Sequence, residues 1–314
     1  MTATRSTAST RRRLLRSPLL WVGAVVVVLV VVGVALLARA YLRSDAGQAF
    51  LLRFPGESAL PAGTPGGFPW WVQWQHSLNF VFILLIIRSG WLMRTQARPE
   101  AYWTRTDNGR LRTRNPPKKI SLYLWFHLSM DVLWLVNGAV FIVLLFVTGQ
   151  WARVVPTRWD TIPNAWSAAL QYASFDWPVD DPWVNYNALQ LVTYFAVIFI
   201  AAPLAAITGV RMSPVWRAEW RISRIYPVTL ARRVHFPVML FFSAFIVVHL
   251  ALVLSTGVLR NLDVMYAATG KGSESWWGLI VFLAVMVVAG AGWVLARPLF
   301  LQPVASLTGR VSSR

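Results

Sequence analysis

The sequence contains only four histidines, and each lies within or at the edge of a long apolar segment: His76, His127, His235 and His249. An imidazole in a bilayer normally faces the interior of a helix bundle and has a partner there. His235 and His249 are 14 residues apart on one segment. On a helix this spacing returns to within about 40° of the same face, about 21 Å further along the axis. Two ligands on one face suit two stacked haems, each completed by one of the other two histidines.

The composition indicates a membrane protein. Of the 314 residues, 56% are hydrophobic and 13% are charged, whereas soluble domains carry about 25% charged residues. Cysteine is absent, which excludes disulfides, iron–sulfur ligation and the covalent attachment of a c-type haem. Any haem is therefore expected to be non-covalent haem b.

Six apolar segments are long enough to span a bilayer. They cover residues 19–40, 69–93, 120–148, 188–210, 234–257 and 275–297. Pro203 is expected to kink the fourth of these segments, because proline cannot donate a helical hydrogen bond. In the long connection before that segment, the sequence TIPNAWSAALQYAS could form a short amphipathic helix. The sequence thus predicts an all-α integral membrane protein with six transmembrane helices, located in the plasma membrane.

The net charge of +18 is distributed unevenly between these segments. Basic residues dominate the tail 1–18 and the connections 94–119 and 211–233, whereas acids balance or outnumber them in 41–68, 149–187 and 258–274. Because short cytoplasmic segments carry the excess of Lys and Arg, both termini are predicted to be cytoplasmic. Contact with membrane lipid explains this placement better than nucleic-acid binding, which we do not expect.

The first segment also imitates a secretory signal peptide, with a basic tail, an apolar run and the sequence Ala38-Arg39-Ala40. The apolar run is longer than a signal peptide needs, so we favour a retained helix. Cleavage would remove one span and leave the orientation of the others unchanged.

The topology sets the depth of each histidine. His127 and His235 are expected near the cytoplasmic surface, and His76 and His249 towards the outer surface. Matching depths predict the ligand pairs His127/His235 and His76/His249. A single membrane histidine is also often a polar contact between helices. Zinc and copper accept imidazole too, but their sites usually gather three or four ligands at one depth.

This arrangement resembles the di-haem cytochrome b membrane subunits of formate dehydrogenase, nickel–iron hydrogenase and thiosulfate reductase. The matching stretches are WQHSLNFVFILLIIRSG, LWFHLSMDVLWLVNG and RRVHFPVMLFFSAFIVVHLALVLSTG. In that family, four successive core helices carry one, one, no and two ligands. The resemblance covers the last five helices and implies a cytochrome b domain over 69–297, preceded by an additional helix and followed by a cytoplasmic tail, 298–314.

The resemblance also implies what the protein does. It implies the same cross-pairing of histidines and a relay of electrons between quinone and a partner oxidoreductase of molybdopterin, hydrogenase or iron–sulfur type. The family's quinone site lies near the haem held by His76 and His249. The chain itself carries no candidate catalytic residue, so any reaction of its own would be quinone oxidation or reduction.

Several other residues are candidates for supporting roles. Asp131, one helical turn after His127, could orient an imidazole or relay protons, although a structural bond to a neighbouring helix is the simpler interpretation. Arg88, Arg232 and Arg233 could bind haem propionates, or the last two could simply anchor the helix at the cytoplasmic surface. Gly90 could let a macrocycle approach the backbone or allow close helix packing.

Two alternatives remain at this point. In a transporter, the histidines and Asp131 would line a proton or substrate path, and inverted repeats with broken helices would be expected. A non-redox anchor would only assemble a complex. Haem content distinguishes both from a cytochrome.

Overall fold

The computed structural model describes residues 18–96, 98–106, 117–178 and 181–313. The predicted basic tail, apart from Pro18, lies outside these residues, as does part of the basic connection 94–119. The helices in chain order are α1 Pro18–Arg43, α2 Asp45–Arg53, α3 Trp70–Thr95, α4 Leu122–Val147, α5 Thr161–Ala173, α6 Ala188–Phe195, α7 Ala202–Met212, α8 Ile222–Ile225, α9 Val228–Ser255, α10 Val258–Ala267, α11 Trp277–Leu295 and α12 Pro298–Ser306.

Six helical runs within the described residues are long and apolar enough to cross a membrane. They are Trp21–Arg43, Trp70–Thr95, Leu122–Val147, Ala188–Met212, Val228–Ser255 and Trp277–Leu295. Each coincides with one of the six predicted segments, so the predicted all-α membrane architecture is confirmed. Many valine and leucine side chains on these helices are exposed, as expected of surfaces that face lipid.

The fourth span is not a continuous α-helix. Residues Ala196–Ala201 form a π-helical segment between α6 and α7. Pro203 is the second residue of α7, which begins directly after this segment. In a regular helix its ring would clash with the carbonyl four residues earlier. The interruption expected at this proline therefore takes the form of a wider helical turn, a feature often found near functional sites.

The chain divides into two compact units. Of the described residues, the first contains 18–59, 157–178 and 187–192, and therefore α1, α2, α5 and the start of α6. Within it, the Arg39 Nε donates a 2.7 Å hydrogen bond to the carbonyl of Ser174, and the Gly56 N–H donates to Asn164 Oδ1. The helix predicted in the long connection is present as α5.

The second unit contains the described residues within 60–156, 181–186 and 193–313, and all four histidines are among them. Its helices enclose four apolar clusters. One of them, formed by Ile83, Ala201, Val238 and Phe242, joins α3 and α9 to the π-helical segment. Trp134 of α4 packs against this cluster. These contacts hold together the three histidine-bearing helices, α3, α4 and α9.

The second unit also contains a three-stranded antiparallel sheet that was not predicted from the sequence. Its strands are β1 Ala101–Arg105, β2 Ile120–Ser121 and β3 Gly309–Ser313, in the order β2-β1-β3. The indole N–H of Trp103 donates to the carbonyl of Ala305 and so fastens the sheet to α12. Within the segment 298–314, predicted to be a cytoplasmic tail, the described residues form α12 and β3.

Candidate functional site

The structure brings the four histidines together in the two predicted pairs. The ring centroids of His127 and His235 are 6.4 Å apart, and those of His76 and His249 are 6.3 Å apart. His127 belongs to α4 and His76 to α3, whereas both partners belong to α9. The 14-residue spacing on α9 therefore gives each of the other two helices one histidine to face.

The separation within each pair fits two imidazoles that would hold one metal ion between them. Two metal–imidazole bonds of about 2 Å each, plus the distance from each nitrogen to the centre of its ring, place the centroids roughly 6 Å apart. Zinc and copper sites usually need three or four protein ligands. Among the described residues, no group of three or more His, Asp or Glu side chains could hold a metal ion. A haem b, by contrast, would need only these two imidazoles from the chain.

The surroundings of His127 fix the ring and leave room beside it. Its Nδ1 lies 2.8 Å from the hydroxyl of Ser89, which is fully buried on α3. The next residue is Gly90, where a built Cβ would lie 3.4 Å from Cε1 of His127. A side chain larger than alanine at Gly90 would therefore press on the imidazole, so the glycine serves this close approach.

His235 has matching surroundings on the other side of the pair. Its Nδ1 lies 2.8 Å from the hydroxyl of Thr208 on α7, and a built Cβ at Gly209 would lie 3.7 Å from its Cε1. Each ring is thus met by a hydroxyl residue followed by glycine, Ser89-Gly90 or Thr208-Gly209. Ser89, Thr208 and Gly209 were not predicted from the sequence, although the repeated hydroxyl–glycine pair in two apolar helices was a signal that could have revealed them.

The second pair is enclosed by aromatic rings instead. Tyr266 of α10 meets His76 edge-to-face at 5.5 Å, and Phe245 stacks on His249 at 5.3 Å between centroids. Burial raises the pKa of Tyr266 to about 12. The Nδ1 of His76 is buried without a hydrogen-bond partner in the part of the chain that the structure describes. A buried nitrogen of this kind is costly unless a further group completes its surroundings.

Aromatic side chains also fill the space between the two pairs. Trp134 lies seven residues after His127 on α4, and Phe242 lies midway between the two histidines of α9. Their rings meet edge-to-face at 6.4 Å, and the Trp134 indole donates a 2.6 Å hydrogen bond to Asn79 Oδ1. The two pairs are therefore separate sites joined by a packed aromatic layer.

The predicted supporting residues differ in where the structure places them. Asp131 Oδ2 lies 3.7 Å from His127 Nε2, too far for a hydrogen bond and on the opposite side of the ring from Ser89. The carboxylate thus shares a face with His127, as expected, but the bond that orients the imidazole comes from Ser89.

Among the basic candidates, Arg88 donates to the carbonyl of Ala296 and lies over the ring of Trp293. These contacts direct it towards α11 and the segment that follows. Arg232 and Arg233 are both exposed on the first turns of α9, just before His235. Their charged groups remain available to an anionic group near that histidine.

A buried arginine in the second unit was also missed. Arg153 is 2% exposed and donates to the carbonyls of Pro182 and Trp183. Its guanidinium lies within 5.1 Å of the centre of the Phe68 ring and 5.4 Å of that of Tyr186. Burial lowers the pKa of Arg153 and raises the pKa of Tyr186 to about 12. These contacts fasten the segment 181–186 rather than forming a site for a ligand.

Together, the membrane helices and the facing histidines define a membrane cytochrome of b type. A family model for prokaryotic cytochrome b561 matches residues 67–267, nearly two thirds of the chain and all four histidines. The chain belongs to the prokaryotic cytochrome b561 family. It is accordingly a multi-pass plasma-membrane protein that binds haem b and transfers electrons. No curated protein matches the chain, and no solved structure matches it.

Proposed function

We propose that this protein binds two haems b and relays electrons across the membrane between quinone and a partner oxidoreductase subunit. The observation that carries this proposal is the presence of two separate histidine pairs, 6.4 Å and 6.3 Å between centroids. One haem would be held by His127 and His235 and the other by His76 and His249. When bound, each haem supplies a one-electron couple, and the chain supplies the ligands, their spacing and the surrounding charge.

Residues with different roles surround the His127/His235 pair. Ser89 and Thr208 orient two of the ligands, and Gly90 and Gly209 leave the space beside them. Arg232 and Arg233 are the side chains that we assign to haem propionates near His235, because guanidinium groups match carboxylates well. The resemblance supports a quinone reaction near the His76/His249 pair and a molybdopterin, hydrogenase or iron–sulfur partner.

The haem count tests this function directly. The purified protein should show a b-type reduced-minus-oxidised spectrum, and pyridine haemochrome analysis should give two haems b per chain. One haem per chain would contradict the two-site relay. A colourless but correctly folded protein would contradict the cytochrome function altogether and favour a transporter or a non-redox anchor.

We also propose that both termini are cytoplasmic, because every basic connection then lies on the inner side. The absence of cysteine makes this testable with single-cysteine variants and a membrane-impermeant maleimide. Glu219 and Lys271 are both exposed. Lys271→Cys should react in intact cells, and Glu219→Cys should react only after permeabilisation. The unmodified chain is the unlabelled control, and the reverse pattern would show that the orientation is inverted.

A further inference from the structure

The hydroxyl of Ser89 has one proton and three neighbours that could share it. Its Oγ lies 2.9 Å from the carbonyls of Leu85 and Ile86 in its own helix and 2.8 Å from His127 Nδ1. Serine in a helix normally donates to the carbonyl three or four residues earlier. If the proton is used there, the oxygen is an acceptor for the imidazole, and Nδ1 must carry the hydrogen.

Thr208 repeats this geometry on a different helix. Its Oγ1 lies 2.6 Å from the carbonyl of Leu204, 3.0 Å from that of Ala205 and 2.8 Å from His235 Nδ1. Both hydroxyl residues are buried, at 0% and 2% exposure, so no bulk water competes for these bonds. Two unrelated segments of the chain thus present the same carbonyl–hydroxyl–imidazole chain to the two rings of one pair.

We propose that Ser89 and Thr208 are positioning residues that hold His127 and His235 in the tautomer with the proton on Nδ1, leaving both Nε2 atoms free for iron. This inference rests on the proposed function, since it concerns the ligands of one of its two haems. A hydrogen-bond acceptor at Nε2 of His127 would favour the other tautomer. The Asp131 carboxylate does not act in this way, because it lies 3.7 Å from Nε2, beyond hydrogen-bond distance.

The same contacts bear on the reduction potential of the haem that His127 and His235 would hold. A ligand imidazole that donates its second N–H becomes a stronger donor to the metal, and such bonds are among the features that set a haem's reduction potential. A stronger donor stabilises ferric iron and lowers the potential. The bonds from Ser89 and Thr208 would therefore lower the reduction potential of a haem held by His127 and His235.

Removing either hydroxyl should raise the reduction potential of one haem only. We would measure Ser89→Ala and Thr208→Val by redox titration of the b-haem absorbance, with the low-spin ferric EPR signal as a second readout. The upward shift should appear in a His76→Ala background, where the His127/His235 haem remains. It should be larger when Ser89→Ala and Thr208→Val are combined. It should be absent in a His127→Ala background.

Conservative variants separate positioning from mere packing. Ser89→Thr and Thr208→Ser retain a hydroxyl and should keep the native potential and EPR signal. Ser243→Ala is the matched control, because its hydroxyl also donates to a carbonyl of its own helix, that of Met239, and it should change neither readout. If Ser89→Ala loses haem, retention of that haem with a native potential in Ser89→Thr still supports the inference.

Two results would overturn it. One is an unchanged potential and EPR signal in the haem-replete double variant. The other is loss of the haem in the hydroxyl-retaining variants as well as in Ser89→Ala and Thr208→Val. Failure of the proposed function looks different, because the wild-type protein would then lack two b haems before any hydroxyl is changed.

Discussion

His127→Ala should leave the purified protein with about one haem b per chain, and His235→Ala should lose the same haem. His76→Ala and His249→Ala should each lose the other one. The reason is that each haem depends on one facing pair, with ring centroids 6.4 Å or 6.3 Å apart, so that removing either ring removes half of the iron's protein ligation. The remaining haem should keep its own spectrum, because the aromatic layer of Trp134 and Phe242 separates the sites.

The comparison of the four variants identifies the pairs as well as the number of haems. Pyridine haemochrome quantification gives the count, and low-temperature optical and EPR spectra identify which haem remains. Ser77→Ala is the matched control, because it changes the residue next to His76 and removes only a hydroxyl bonded to its own helix. If His127→Ala and His249→Ala gave the same residual spectrum, the predicted pairing would be wrong. A His127→Gly variant that regains its haem on addition of imidazole would show that the loss is one of ligation rather than of folding.

The pairs could be predicted because they follow from long-range regularities. Charge asymmetry predicts an orientation for every helix, and the helical rise then gives each histidine a predicted depth. The largest error in a span boundary has a simple cause: the predicted segment begins at residue 234, but α9 begins at Val228. A helix can extend beyond the hydrocarbon, and the preceding turns carry Arg232 and Arg233, which hydropathy counts as outside the span.

The partners of the rings could not be predicted in the same way. Whether Ser89 or Asp131 reaches the Nδ1 of His127 depends on how α3 is rotated against α4, and sequence periodicity gives no such rotation between two apolar helices. The sheet was missed for a related reason. β1 and β3 are five residues each and lie about two hundred positions apart, so neither has a local partner that a sequence pattern would reveal.

Asp263 is the basis of the prediction with the second-largest effect. This carboxylate on α10 is fully buried and accepts hydrogen bonds from the hydroxyls of Thr269, Ser273 and Ser275 and from the backbone N–H groups of Ser275 and Gly278. It thereby closes the connection between α10 and α11.

Replacing Asp263 by alanine should lower the free energy of unfolding by roughly 3 kcal/mol or more, because several buried donors lose their acceptor together. Thermal unfolding in detergent, followed by circular dichroism and by haem absorbance, would measure the loss. Tyr266, on the same short helix, contacts His76, so haem should be released first from the His76/His249 site. Glu274→Gln, an exposed change in the same connection, is the control and should leave the unfolding temperature nearly unchanged.

The stability that Asp263 contributes should also depend on pH in a defined direction. Burial alone would raise the pKa of this carboxyl, but the hydrogen bonds from Ser273, Ser275 and Thr269 outweigh it and lower the pKa to about 2. A carboxyl whose pKa is lower in the folded state stabilises the fold above its unfolded pKa, and this stability is lost as the pH falls through the folded value.

The wild-type protein should therefore lose on the order of 2 kcal/mol between about pH 5 and pH 2 that Asp263→Asn does not lose. The asparagine amide does not titrate in this range. The free energy of unfolding of the Asp263→Asn protein, which is smaller at neutral pH, should therefore stay nearly constant. Measuring both proteins in denaturant at several pH values isolates the carboxylate from other groups that titrate there. Parallel pH profiles for the two proteins would show that Asp263 is not the group that holds the connection in place by its charge.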